Sequence, residues 1–249
     1  MPRTPRSILG GDVLSLFVIA DLHLSLASDK PMDVFAGWDN HVERLQKNWQ
    51  SRVSKDDTVV IPGDVSWAMS LQGALEDFKF IDRLNGKKII LKGNHDYWWS
   101  TKTKADRFFN ENGITTINIL NNNFYEYSGI GLCGTRGWIN DGSEPQDQKV
   151  ILREAQRLDR SIQGAIDAGL RPIVFLHYPP IFNGDRNDEM MSVLKKFDIK
   201  YCFYGHLHGY AHRNAVIGER EGIEFRLISS DYLHFSPFEI TNLVNIAEI

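Results

Sequence analysis

The chain has 249 residues, of which 42% are hydrophobic and 24% are charged, a composition that is ordinary for a soluble globular protein. We therefore expect a single domain over residues 1–249, and the lack of a long apolar run argues against insertion into a membrane. The formal net charge of −4 argues against nucleic acid as a partner, because nucleic-acid-binding proteins usually carry a strong basic excess.

Short apolar runs rich in Val, Ile and Phe alternate with longer amphipathic stretches, which is the pattern of a layered α/β fold. In chain order the predicted elements are strand 14–20, helix 38–53, strand 58–61, helix 71–84, strand 88–91, helix 101–112, strand 130–133, helix 146–168, strand 173–176, helix 188–196, and strands 201–204 and 225–228. The two cysteines, Cys133 and Cys202, lie in apolar runs, so we expect buried free thiols and a reducing cytoplasmic location.

Polar side chains that can bind metals or transfer protons follow five of the predicted strands directly. In chain order these segments are Asp21-Leu22-His23, Gly63-Asp64, Gly93-Asn94-His95-Asp96, His177 and Gly205-His206-Leu207-His208. Ligand sites of open α/β sheets form outside the carboxyl ends of strands, where residues distant in sequence converge. The sequence therefore predicts one composite site.

The first two segments, taken alone, have simpler explanations. Asp21 and His23 are two residues apart and can point to the same side to hold a metal ion, but a surface turn with a capping Asp is the commoner cause of such a pair. Gly63 lets the Asp64 carboxylate approach a site closely, yet a Gly-Asp turn that leads into a helix is very common.

The later segments favour a site more clearly. Asn94 can offer an amide oxygen to a metal, and a simple turn does not require His95, so this segment is compatible with a turn and with a metal site. A lone His177 is more often explained by packing. His206 and His208, flanked by glycines, offer two nitrogen ligands at close range and favour a metal even alone.

Taken in order, these motifs resemble those of the calcineurin-like metallophosphoesterase superfamily, which are D-x-H, G-D, G-N-H-[DE], H and G-H-x-H. The match extends from Asp21 to His208 and fills every ligand position. The resemblance implies an α/β fold in which two facing mixed β-sheets are flanked by helices, a four-layer sandwich, with two metals at the strand ends.

The resemblance also implies roles for eight residues. One metal ion is held by Asp21, His23 and His208, the other by Asn94, His177 and His206, and both are bridged by Asp64. His95 matches the histidine that faces the substrate, where it stabilises the transition state or protonates the leaving oxygen.

The chain departs from one subgroup of the superfamily. Protein serine/threonine phosphatases carry G-D-x-V-D-R-G, whereas this chain has Gly63-Asp64-Val65-Ser66-Trp67-Ala68. His95 therefore lacks that orienting carboxylate, and Asp96 cannot be assumed to replace it. The departure argues against a phosphoprotein phosphatase and favours a phosphohydrolase of the bacterial type.

We therefore predict binuclear, metal-dependent hydrolysis of a small-molecule phosphate monoester or diester by metal-bound hydroxide. Four imidazoles with carboxylate and amide oxygens suit manganese, iron or zinc better than calcium or magnesium, and coordination above four favours manganese or iron. Alternatives are a non-catalytic metal-binding interaction scaffold, disfavoured because no ligand is missing, and a nuclease, disfavoured by the acidic balance. The sequence specifies neither the natural substrate nor the oligomeric state.

Other residues carry weaker predictions. Arg136 follows a strand and is a candidate for bidentate phosphate binding, the alternative being a solvent-facing turn arginine. Tyr97, Trp98 and Trp99 could wall a substrate pocket, although aromatic runs more often pack in a core.

Three histidines, His41, His212 and His234, are interpreted as ordinary side chains without a role at the site. Segments 140–148 and 183–189 are polar and rich in turn residues. We interpret them as solvated connectors, with loops that cover the site as the alternative.

Overall fold

A computed structural model describes residues 14–138 and 148–245 of the chain. In chain order its strands are β1 (Leu16–Val18), β2 (Thr58–Pro62), β3 (Lys87–Leu91), β4 (Ile117–Ile119), β5 (Phe124–Tyr127), β6 (Ile130–Thr135), β7 (Arg171–Leu176), β8 (Ile181–Phe182), β9 (Asp185–Arg186), β10 (Tyr201–Tyr204), β11 (Gly218–Arg220), β12 (Ile223–Leu227) and β13 (Phe238–Glu239). Its α-helices are α1 (His41–Arg52), α2 (Leu75–Arg83), α3 (Lys102–Glu111), α4 (Gln148–Asp167), α5 (Asp188–Lys196) and α6 (Thr241–Asn245), and a 3-10 helix covers Gly209–Asn214.

The strands form two mixed sheets and one short hairpin. The five-stranded sheet has the order β13-β1-β2-β3-β4, with β1 to β4 parallel and β13 antiparallel. The six-stranded sheet has the order β11-β12-β10-β7-β6-β5, with its four inner strands parallel and both edge strands antiparallel. Strands β8 and β9 form the hairpin, and Phe182 of β8 also makes an isolated antiparallel bridge with Ala215.

The two sheets pack face to face, and helices cover their outer faces. Val60 of β2 and Phe175 of β7 lie in the same buried cluster, between the sheets. Trp49 of α1 and Phe78 of α2 are buried on the outer face of the first sheet, and Leu158 of α4 is buried on the outer face of the second. This arrangement of helices, sheet, sheet and helices confirms the four-layer sandwich.

Several element boundaries differ from the prediction. The predicted helix 38–53 begins at His41 because Asn40 adopts a left-handed conformation with a φ of 51°. The predicted start of helix 146–168 and most of segment 140–148 lie outside the described residues. Segment 183–189 includes β9 and Asn187, whose side chain accepts a hydrogen bond from the Met190 N–H and caps α5.

Two further expectations concern the cysteines and the membrane. Cys133 and Cys202 are both buried and free, as expected. Within the described ranges, none of the helices combines the length and the apolar character that are needed to cross a bilayer.

Candidate metal centre

The seven predicted metal ligands lie together at one end of the sandwich, in the segments after β1, β2, β3, β7 and β10. Two clusters of potential ligand atoms form there, namely Asp21 with His23 and His208, and Asp64 with His177 and His206. Asn94 joins the second cluster, since its Oδ1 lies 2.6 Å from His177 Nε2 and 3.0 Å from His206 Nδ1.

The Asp64 carboxylate lies between the two clusters. Its Oδ2 is 3.8 Å from His23 Nε2 in the first cluster and 3.4 Å from His177 Nε2 in the second. Its other oxygen, Oδ1, accepts a hydrogen bond of 2.8 Å from the His95 N–H, which fixes the carboxylate in this orientation. One carboxylate oxygen therefore faces both clusters, a position from which it can bridge two ions.

In both clusters, an imidazole nitrogen lies close to another atom that carries a lone pair. His177 Nδ1 lies 3.1 Å from the Pro62 carbonyl oxygen, to which it donates, so the ring turns the lone pair of Nε2 toward Asn94 Oδ1 and Asp64 Oδ2. In the first cluster, His23 Nε2 and His208 Nε2 lie 3.2 Å apart. Convergent lone pairs repel each other unless a proton or a cation lies between them, so both clusters suit a cation.

The backbone at the site is strained. Asp21, His23, Asp64 and His206 all have φ between 46° and 73°, a region that non-glycine residues rarely adopt, at a cost of roughly 1–3 kcal/mol each. Backbone hydrogen bonds hold this conformation, including those from the Asp21 N–H to the Gly63 carbonyl and from the His23 N–H to the Asp64 carbonyl. Such strain typically clusters at functional sites.

Two motif glycines are required by close approach. A Cβ atom on Gly93 would lie 2.1 Å from Asp64 Oδ1, and one on Gly205 would lie 2.5 Å from Asp21 Oδ2. Any side chain at either position would displace a candidate ligand carboxylate. The glycines of G-N-H-D and G-H-L-H therefore provide the space in which these carboxylates sit.

Burial dominates the electrostatics of the site. It raises the pKa of Asp21 to about 6 and raises the pKa of Asp64 well above its usual range, where repulsion from Asp96 and Asp21 adds to the effect. Burial also lowers the pKa of His23 and His177 well below the usual range, with repulsion from neighbouring imidazoles in support. Neutral imidazoles bind metals, and a bound cation would compensate the buried carboxylates.

Asp96 is a structural anchor beneath the site. Its buried carboxylate accepts hydrogen bonds from five donors, which are the N–H groups of Asp64, Val65, Ser66 and Gly93 and the indole N–H of Trp98. These bonds tie the loop after β2 to the loop after β3. Because the carboxylate is committed to them, Asp96 does not take the place of the orienting carboxylate that the phosphoprotein phosphatase motif provides for His95.

An indole packs against His95. Trp67, which stands where that motif has its second Asp, has its ring centroid 4.2 Å from that of His95 and stacks on His23 at 5.0 Å. Tyr97 is 53% exposed and its Oη lies 3.5 Å from His95 Nδ1. The adjacent aromatic residues therefore differ in position, since Tyr97 lies beside the site whereas Trp98 is buried in the core.

Asp231 is a site residue that the sequence analysis missed. Its Oδ1 lies 2.9 Å from His208 Nδ1, and its Oδ2 accepts from the Gly209 N–H at 3.0 Å and lies 3.3 Å from His212 Nε2. Although burial acts in the opposite direction, hydrogen bonds from His208 and His212 hold the pKa of Asp231 below its usual range. His212, interpreted as an ordinary histidine, thus contacts the carboxylate that orients a candidate ligand.

Asp231→Asn is expected to weaken Mn²⁺ binding about 10- to 100-fold, because a carboxylate that accepts from the second nitrogen of a ligand imidazole orients the ring and raises its basicity. Titration calorimetry with Mn²⁺ measures the change. Asp198→Asn is the matched control, since Asp198 is exposed and pairs only with Lys200 among the described residues. Equal Mn²⁺ affinities for the two variants would contradict the assignment.

Arg136 lies at the edge of the second cluster. Its backbone carbonyl accepts hydrogen bonds from the N–H groups of His177 and Tyr178 at 3.1 and 2.9 Å. Its half-buried guanidinium lies 4.6 Å from the ring centroid of Trp138. Burial, followed by repulsion from Arg136, lowers the pKa of the nearby Lys92 ammonium.

Comparisons with known proteins point to one family. The model of the family described as calcineurin-like phosphoesterase matches residues 14–210. The Gene 66 protein of Mycobacterium phage L5 is 41% identical over 58 residues, which cover 23% of this chain and 28% of that protein.

Solved structures share the fold at low sequence identity. TT1561 of Thermus thermophilus matches with a TM-score of 0.52 and 13% identity, over 79% of this chain and 83% of that one. The Aquifex aeolicus protein of unknown function AQ665 matches with a TM-score of 0.50 and 13% identity, over 94% and 100% of the two chains. Because the family model covers most of its length, the chain belongs to the calcineurin-like phosphoesterase family.

Proposed function

We propose that the chain binds two divalent transition-metal ions and hydrolyses a small-molecule phosphate monoester or diester at that binuclear centre. The observation that carries the proposal is the position of Asp64, whose Oδ2 lies 3.8 Å from His23 Nε2 and 3.4 Å from His177 Nε2. A carboxylate oxygen shared by two clusters is the arrangement that a bridged pair of ions requires.

The donor set fits such ions. Asp21, His23 and His208 would hold one ion, Asn94, His177 and His206 the other, and Asp64 both. Nitrogen and oxygen donors together suit manganese, iron or zinc. Three protein ligands, the shared Asp64 carboxylate and water would bring each ion to a coordination number above four, which favours manganese or iron over tetrahedral zinc.

The chain's own residues divide the remaining work. When bound, the ions supply Lewis acidity, which lowers the pKa of water and neutralises charge on the phosphoryl and leaving oxygens. His95, whose ring centroid lies 5.7 Å from that of His23, can donate a proton to the leaving oxygen or a hydrogen bond to the phosphoryl group. Trp67 packs against this imidazole and restricts its orientation.

Metal dependence and stoichiometry test the proposal directly. We expect Mn²⁺-loaded protein to contain two ions per chain and to release nitrophenol from 4-nitrophenyl phosphate, from its bis ester, or from both. Chelation and dialysis should abolish release, and added Mn²⁺ should restore it. Folded protein that holds two ions but hydrolyses neither ester would favour an interaction scaffold, and a single ion per active chain would contradict the binuclear centre.

A further inference from the structure

A basic cavity lies between the segments after β3 and β6 and the first turns of α4. Its volume is about 310 Å³. Among the described residues, the charged side chains that line it are Lys92, Arg136, Arg153, Arg157 and Glu154. In this part of the chain, four cations thus face one carboxylate, in a protein whose formal net charge is −4.

The Glu154 carboxylate is already committed to other partners. Arg157 Nη1 lies 2.6 Å from Glu154 Oε1, and Glu154 Oε2 accepts from the Thr135 hydroxyl. Within residues 14–138 and 148–245, no carboxylate lies within ion-pair distance of Lys92, Arg136 or Arg153. As far as the described residues go, these three cations are therefore available to bind an anion.

Holding these cations together has an electrostatic cost. Lys92 is half-buried, and the positive charges of Arg136 and Arg157 act on its ammonium against the negative charges of Asp96 and Glu154. An anion bound among them would relieve this repulsion, and arginine guanidinium groups bind phosphate with two parallel hydrogen bonds. The charge and shape of the cavity thus suit a phosphate group.

Two residues that line the cavity are linked through the backbone to candidate metal ligands. Lys92 precedes the candidate ligand Asn94 by two residues, and the Arg136 carbonyl accepts the hydrogen bond of the His177 N–H. A small molecule could therefore place one phosphate at the metal centre and a second one in the cavity.

We propose that this cavity is a second phosphate subsite, which binds a phosphate group of the substrate other than the one that is hydrolysed. The inference rests on the proposed function and narrows its substrate class to small molecules that carry a second phosphate.

The test compares α,ω-alkanediol bisphosphates of increasing length with the monophosphates of the same diols, using Mn²⁺-loaded protein and measuring phosphate release. For at least one length, the KM of the bisphosphate is expected to lie about tenfold or more below that of the monophosphate, because charge-assisted hydrogen bonds to the second phosphate add to binding.

Two variants locate the effect in the cavity. Arg153→Gln removes the positive charge of an exposed residue in α4, and Lys92→Gln removes a positive charge from the segment after β3. Each is expected to reduce the preference for the bisphosphate about tenfold. Arg83→Gln is the matched control, because Arg83 ends α2 near the amino end of β3, opposite the site, and should leave the preference intact.

The outcomes separate this inference from the proposed function. Equal KM values in the two series, a preference that survives both cavity substitutions, or an equal loss in Arg83→Gln would overturn the subsite and leave the phosphoesterase proposal standing. Absence of phosphate release from every ester by the wild-type protein would overturn both.

Discussion

His95→Ala is expected to lower kcat about 100- to 10,000-fold, the range typical of a lost general acid, while the metal content per chain stays nearly unchanged. The reason is positional, since His95 lies outside both clusters of candidate ligands but beside the first of them. Turnover of a nitrophenyl ester and elemental analysis of the same Mn²⁺-loaded sample measure the two quantities together.

Asp64→Ala, in contrast, is expected to lower the metal content per chain as well as turnover, because the Asp64 carboxylate is shared by both clusters. His234→Asn is a control for replacing a histidine, since His234 is exposed and Asn tolerates its φ of 53°. Equal loss of metal from His95→Ala and Asp64→Ala would make His95 a ligand and would overturn its assignment as the substrate-facing acid.

Motif spacing predicted the convergence of the candidate ligands because each lies just after a strand, and the carboxyl ends of parallel strands share one edge of a sheet. Asp231 belongs to none of these motifs. It lies in the turn-rich segment after β12, and its relation to His208 arises only from tertiary packing. The left-handed conformations of Asp21 and His23 were equally hidden, since they depend on hydrogen bonds to the loop after β2.

Helices and strands could be predicted where the apolar runs were long enough for the spacing of the apolar residues to be recognised. Helix 188–196 and strand 201–204 have the predicted ends, and the other predicted strands are present with shifted ends. Strands β4, β5, β8, β9, β11 and β13 were missed because two to four residues carry too little alternation to be recognised. The pairing of β13 with β1, in which Glu239 lies opposite Phe17, joins distant parts of the chain and follows from no local pattern.

Asp96→Ala is expected to destabilise the protein by about 3–5 kcal/mol or more, because five buried donors lose the acceptor that they share and unsatisfied buried groups cost roughly 1–3 kcal/mol each. Such a loss is a large fraction of the roughly 5–15 kcal/mol that stabilises a typical folded protein. Urea unfolding of the wild type and the variant measures the difference. The variant is also expected to bind Mn²⁺ more weakly, since the loops that carry Asp64 and Asn94 are no longer tied together.

Asp77→Ala is the matched control, because Asp77 is an equally buried carboxylate that contacts the same loop but accepts from only two donors in the described part of the chain, the Ser66 hydroxyl and the Leu26 N–H. The hydroxyl can rotate toward another acceptor, so a smaller loss of stability is expected, with Mn²⁺ affinity largely retained. Equal destabilisation in the two variants would show that removal of any buried carboxylate beside this loop has the same effect. Stability would then not depend on how many donors the carboxylate satisfies, and Asp96 would lose its distinct role as the link between the two ligand-bearing loops.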